Sequence, residues 1–383
     1  MLLRPLILTL ALALGAWAAP VGTADAAPAK KKATTTKPAA KKKARAKPAP
    51  KVAPAAITAG HAQSPGMQAA AGATATAAAG DAAAAAAAQS ARAAGGQPRS
   101  AGDILNATGA EDWREPDPAQ LVLMEFKLPT QPEPAQVLME LAPRFAPEHA
   151  ANVRALVRGG YFDGLAVLRV QDNFVTQWGD PGEGAAARAL PAEAKAKLPA
   201  EFDQALAGLP LHALTENDGW SPLSGFVDGF AVAADPGRTA QGRAWLAHCY
   251  GVVGAGRGGE IDSSNGSSLY AIIGQPARSL DLNITVVGRI LKGIEHLAAL
   301  PRGSGNMGFM GPQEAKPPLL RARLLADMPA GERPSVKVLR TDVPAWFEIL
   351  HSRRHRSGWF VHSSGRVDLC SAQVPVRVTP PKS

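Results

Sequence analysis

Apolar and polar positions alternate most regularly between Tyr161 and Pro181. From Leu165 to Val170 the pattern puts Leu165, Val167 and Arg169 on one face and Ala166, Leu168 and Val170 on the other, the period of a strand. Gln171, Asp172 and Asn173 supply turn chemistry, and Phe174–Trp178 reads as the returning strand. An antiparallel return brings Val175 and Gln177 to the face of Arg169. The same reading predicts strands at Leu121–Phe126, Val137–Leu141, Gly229–Ala234, Leu269–Ile273 and Thr285–Leu291. Pro147–Val157 reads as a helix, with proline in the first turn, Val153, Leu156 and Val157 on one face, and Gly159-Gly160 beyond its end. A second helix starts at Gly293–Leu300.

Outside this stretch the pattern changes. An apolar run from Leu6 to Trp17 follows Arg4, with small-residue cleavage options near Ala18 and Ala26, so residues 1–26 read as a signal peptide for export. Residues 27–112 are Lys/Ala/Pro-rich and then Ala-rich, without periodic large apolar positions, and are expected to be a disordered linker. The formal net charge of +9 belongs to this tract: nine lysines and Arg45 fall between Pro28 and Gly80 with no acid, and the rest of the chain sums to about −1. The tract serves either as an electrostatic tether to an anionic envelope surface or as a solvated spacer; export makes nucleic acid a poor partner. Folded sequence is expected over residues 113–311, with an insertion at about 182–225 where Ala, Leu, Glu and four prolines replace strand patterning. Residues 312–383 form an extension with strand patterns at Leu319–Leu325 and Val336–Leu339, a helical Ala345–His351 and a basic run, Arg353-Arg354-His355-Arg356. No later run is long and apolar enough for a transmembrane helix.

Cys249 and Cys370 are the only thiols. In an oxidising compartment they either bridge the extension to the barrel or stay as two buried free thiols. His248 beside Cys249 does not make a nucleophilic pair, because sequence neighbours rarely supply that geometry. Gly254-Ala255-Gly256-Arg257-Gly258-Gly259 satisfies G-x-G-x-x-G literally. Turn residues follow it where a dinucleotide site needs a helix, so it reads as a loop.

A guanidinium beside an amide over a floor of Phe and Val suits an apolar ligand with one hydrogen-bonded atom. The blocks Gly160–Gly164, Val167–Val170, Phe174–Pro181, Ser264–Tyr270, Leu280-Asp281 and Thr285–Ile294 resemble, in order, the signature segments of the cyclophilin family of peptidyl-prolyl isomerases. The resemblance covers about residues 120–300. It implies a mainly β fold, an eight-stranded antiparallel barrel with two covering helices, that needs no metal or cofactor. It also implies that Arg169 hydrogen-bonds the prolyl nitrogen of a proline-containing polypeptide while Gln177 holds the guanidinium. Phe174, Val175, Tyr270, Ile284 and Val287 would then cup the proline ring, with Ser268 and Ala233 in the peptide-binding positions. The family's aromatic-His-Arg, Asn-Gly-Ser-Gln and Trp-Leu-Asp residues are replaced at Leu168, Ser268 and Ser279, its Ala-Asn pair looks like Ala233-Ala234, and its pocket His falls at Ile284. The reading is therefore a periplasmic or secreted isomerase for envelope proteins, the alternative being a peptide-binding or chaperone module with little turnover.

Overall fold

The computed structural model describes residues 64–93, 99–182 and 186–381. The expected leader at 1–26 and the lysine-rich tract lie outside them. Two helices come first, α1 (Pro65–Ala93) and α2 (Ala101–Asn106), then β1 (Trp113–Arg114), β2 (Leu121–Phe126), β3 (Ala135–Leu141) and α3 (Pro147–Arg158). The hairpin β4 (Ala166–Gln171) and β5 (Val175–Gly179) follows, then β6 (Gln204–Ala205), β7 (His212–Ala213), β8 (Leu223–Val227), β9 (Phe230–Asp235) and β10 (Arg243–Leu246). The chain continues through β11 (Val252–Ala255), β12 (Ser268–Ile272), β13 (Val286–Lys292), α4 (Ile294–Ala298), β14 (Leu319–Leu324), β15 (Ser335–Leu339), α5 (Pro344–Arg354) and β16 (Val376–Thr379).

Eight antiparallel strands run in the order β14-β2-β3-β13-β11-β12-β5-β4. The edges meet where Gly164 N donates to Leu319 O at 2.8 Å and Leu319 N to Leu165 O at 2.7 Å, so the sheet curls into a barrel. Its interior holds Phe126, Met139, Leu141, Val167, Val170, Trp178, Leu269 and Val287, with α3 and α4 contributing Val153, Leu156 and Leu297. The last barrel strand, β14, comes from the segment expected to be an extension.

A β-bulge between Val167 and Arg169 overturns the strict alternation expected in β4. Val167 and Val170 both enter the core while Leu168 and Arg169 stay half-buried. The extra residue re-aims the side chains after it, so Arg169 leaves the face of Val167.

A second sheet, ordered β6-β10-β9-β8-β7, lies in the region after Asp203. Its central hairpin turns at Asp228 (φ 51°) and Gly229 (φ 79°), the two left-handed residues of a type I′ turn. This hairpin claims residues 230–235, so the strand expected at Gly229–Ala234 belongs here and not to the barrel. One shared apolar cluster joins the second sheet to the outer barrel face, including Val175, Tyr270, Ile272 and Val286.

The alanine-rich segment 65–93, expected to be disordered, is a helix packed on α5. Ala73, Ala77 and Ala84 are buried at helical spacing, and between them Gly80 faces the Phe347 ring, where a Cβ would collide. Small side chains let the two axes approach closely, so this helix buries a face without large apolar residues. Asp81 adds an ion pair to Arg354 at 2.6 Å, and Arg354 also reaches Glu216 at 2.8 Å. That seals one arginine of the basic run into the interior. A third sheet, β1-β15-β16, completes the extension. Cys249 and Cys370 form a disulfide that ties residue 370 back to the segment after β10, which settles the choice left open by the sequence. Among the described residues no helix is long and apolar enough to cross a membrane.

Candidate active site

The outer face of β4, β5 and β12 carries the candidate residues. Arg169 stands opposite Gln177, and Gln177 stands opposite Tyr270 in the next strand. The Arg169 guanidinium carbon lies 5.6 Å from the Phe174 ring centre, so a cation and an aromatic face are presented together. No carboxylate among the described residues pairs with Arg169. Burial lowers its pKa from the ordinary arginine value. It remains a cation at neutral pH.

Gln177 does not hold the guanidinium. Its Nε2 donates to Ser268 Oγ at 3.0 Å, so the amide is spent on β12. Arg169 is held instead from the opposite side, with Nε donating to Met307 O at 2.7 Å and Nη2 to Gln171 Oε1. The segment after α4 runs along β4 as an added edge, with Met310 N donating to Leu168 O at 2.8 Å and Gly303 N to Val170 O at 3.1 Å. This places Phe309, 45% exposed, with its ring centre 5.4 Å from the guanidinium carbon. Arg169 thus lies within cation–π range of both Phe174 and Phe309. Alternation does not mark Met307 or Phe309; the only signal is an aromatic residue alone in a glycine-rich stretch.

Phe174, Val175, Tyr270 and Ile284 belong to one extended apolar cluster, in which Phe174 and Ile284 are half-buried and Val175 and Tyr270 are buried. Val287 does not. It is fully buried inside the barrel, and its neighbour Val286 faces the cup side, as period-2 geometry requires. Ala233 is also displaced: it is fully buried in β9, paired with Ser224 and Trp245, and offers no surface to a peptide backbone. The backbone beside Ser268 and Gln177 is that of Gly256, half-buried, whose N–H donates to Ser268 O at 2.8 Å. Arg257 follows, its Nε donating to Asn283 O at 2.9 Å. The glycine-rich motif is therefore strand and loop at the rim of this site. Gly254 in it must be glycine, because a Cβ there would run into the Tyr270 ring.

Tyr270 ends in a buried polar chain. Its hydroxyl lies 3.1 Å from His248 Nε2, and His248 Nδ1 lies 3.0 Å from Asp281 Oδ1. An ionised carboxylate only accepts, so Nδ1 is the donor to Asp281, and Nε2 faces the phenol oxygen. Asp281 also accepts from Trp245 Nε1 at 3.1 Å and Arg278 Nε at 2.7 Å, and Arg278 reaches Asp218 at 2.8 Å. Burial, reinforced by the charge of Asp281, pushes the Tyr270 pKa far up, so the phenol stays neutral. The chain pins the cup floor to the second sheet.

Residues 126–319, half of the chain, match the family model for the cyclophilin type peptidyl-prolyl cis-trans isomerase. A crystallised cyclophilin from Hirschia baltica is similar over 74% of this chain and 98% of its own, with a TM-score of 0.58 and 25% identity. Probable peptidyl-prolyl cis-trans isomerases of Brucella suis and Brucella abortus are 35% and 33% identical over 81 residues. That match covers 21% of this chain and about a third, 35%, of the length of these relatives.

Proposed function

The chain belongs to the cyclophilin-type peptidyl-prolyl cis-trans isomerase family, and on that premise we propose that it accelerates X-Pro rotation in polypeptides at the Arg169 site. The barrier to be lowered, roughly 18–20 kcal/mol, comes from amide resonance. As the amide twists, the prolyl nitrogen regains a lone pair, and a donor placed there favours the twisted state over the planar one. The single observation that carries this reading is the Arg169 guanidinium, unpaired by any carboxylate among the described residues and set beside Phe174. Two of its donors are engaged by Met307 and Gln171, which orients the fork, while half-buried Phe174 and Ile284 offer apolar surface to the proline ring over a buried floor of Val175 and Tyr270.

Work on envelope proteins after export, in the periplasm or outside the cell, is part of the proposal. The apolar run at Leu6–Trp17 and the Cys249–Cys370 disulfide support it, since disulfides persist in oxidising compartments. Exchange NMR on a proline peptide tests the mechanism: Arg169→Ala should lose most of the acceleration, about 10–150-fold for one charge-assisted hydrogen bond, with little change in melting temperature. A variant as fast as the parent overturns it. The second reading, a peptide-binding module with little turnover, is favoured by the aromatic rings flanking the guanidinium. It predicts negligible acceleration by the parent and aggregation suppression that survives Arg169→Ala.

A further inference from the structure

Among the described residues the two most exposed large apolar side chains, Trp359 and Val361, are not part of the Arg169 site. Trp359 is 88% exposed and Val361 105%, with Phe360 between them packed edge-on against the indole. Such values mark a protrusion at Trp359 and Val361 among the described residues. The protrusion is nevertheless built. Its neck is closed where Gly365 N donates to Arg354 O at 3.1 Å, Arg356 N to Ser363 Oγ at 3.1 Å, and Ser363 Oγ to Arg354 O. Gly358 (φ 70°) and Gly365 (φ 66°) make the reversals. The neck is anchored in turn by the buried Arg354, through Asp81 and Glu216.

Charge surrounds the tip with one sign. Between Ile349 and Val367 there are four arginines and no acid. Arg354 is neutralised inside, but no carboxylate among the described residues pairs with Arg353, Arg356 or Arg366, and Arg356 stacks over the Phe360 ring at 4.8 Å. A cavity of about 640 Å³ opens beside it between α1, α2 and α5, with Ile104 and Phe360 on its apolar side and Arg99, Glu348, Arg353 and Arg356 on its charged side.

We propose that the Trp359–Val361 tip inserts into the headgroup region of an anionic lipid surface, with the exposed Arg356 and Arg366 meeting the phosphates. Indole rings settle at the membrane interface because one edge is apolar and the other donates a hydrogen bond. Each cation near an anionic leaflet strengthens the partition about fivefold, so neither the apolar tip nor the charges need suffice alone. An exposed apolar point flanked by cations fits a deformable anionic surface better than a shaped protein groove. The tip is distinct from the lysine-rich N-terminal tract and from the Arg169 site.

The test uses the full chain and sedimentation with vesicles of phosphatidylcholine, with or without phosphatidylglycerol. Trp359→Ser combined with Val361→Asp should keep the parent's melting temperature and peptide isomerisation rate, since both side chains are exposed. It should lose about 10- to 100-fold of the partition to anionic vesicles, the worth of burying two apolar side chains. Lipids brominated on the acyl chain should quench parent fluorescence and not that of the double variant. The lysine-rich tract contributes equally to both proteins. Equal partition of parent and variant overturns the proposal. So does a variant that binds vesicles like the parent but loses affinity for reduced, carboxymethylated α-lactalbumin, which would assign the tip to polypeptides.

Discussion

Removing the Asp281 carboxylate should unfasten the cup floor from the second sheet. Asp281→Ala deletes the acceptor for His248 N at 2.9 Å, His248 Nδ1 at 3.0 Å, Trp245 Nε1 at 3.1 Å and Arg278 Nε at 2.7 Å. The Asp281 side chain is only 8% exposed and that of Arg278 5%, so water does not replace the lost partner. Breaking one side of a buried ion pair costs about 3–5 kcal/mol; Asp218 still holds Arg278, which favours the lower end. At about 2–4 °C per kcal/mol for a large domain, the melting temperature should fall by roughly 6–20 °C in calorimetry at pH 7. The acid limb provides a second check. Burial by itself raises the Asp281 pKa, but the His248 hydrogen bonds and the Arg278 charge outweigh it and leave the net shift downward. A carboxyl depressed in the folded state stabilises fully above its unfolded pKa, and that contribution disappears as pH falls through the folded value. The gap between parent and variant should therefore narrow below about pH 4. Isomerisation measured well below the melt should drop several-fold, because Tyr270 loses its anchor through His248. An unchanged melting temperature at pH 7, or a gap that stays constant into acid, would refute the claim that this chain of groups holds the floor.

Two further outcomes follow from the same geometry. Phe309→Ala should lower kcat by about 2- to 10-fold with KM little altered, the range expected for one cation–π contact orienting Arg169, and Phe309→Trp should restore it. A large rise in KM with kcat intact would make Phe309 a binding surface rather than a positioning one. Reduction of Cys249–Cys370 with a phosphine should cost about 2–4 kcal/mol in urea titrations, because the bridge closes a separation of 121 residues. Identical midpoints for oxidised and reduced protein would mean that the extension is held by packing alone.

Much of the barrel was legible because each of its strands carries its own pattern. Leu121–Phe126 matched its strand residue for residue, and the turn falls at Asp172–Phe174, one residue beyond the expected Gln171–Asn173, with Asn173 in the left-handed region (φ 50°). Asp228-Gly229 between two apolar runs was an equally readable hairpin signal, and weighing it would have assigned Ala233 to the second sheet. The alanine helix was less readable. Periodicity of large apolar residues is the usual mark of a packed face, and Ala73, Ala77, Gly80 and Ala84 pack by having almost no side chain.

The amino-acid order by itself determined the local quantities: strand periods, turn residues, the helix at Pro147, and an arginine and an aromatic residue in one hairpin. Only the tertiary structure decided what those groups touch. The bulge that frees Arg169 from the core depends on register with β5, and the grip on its guanidinium comes from Met307, 138 residues away along the chain. Gln177 turns to Ser268, Val287 faces inward, and Cys249 finds Cys370 for the same reason. A side chain's partner is set by which backbone segments are brought within about 3 Å of it, and that proximity is a property of the closed barrel and its attached sheets, not of any stretch of chain.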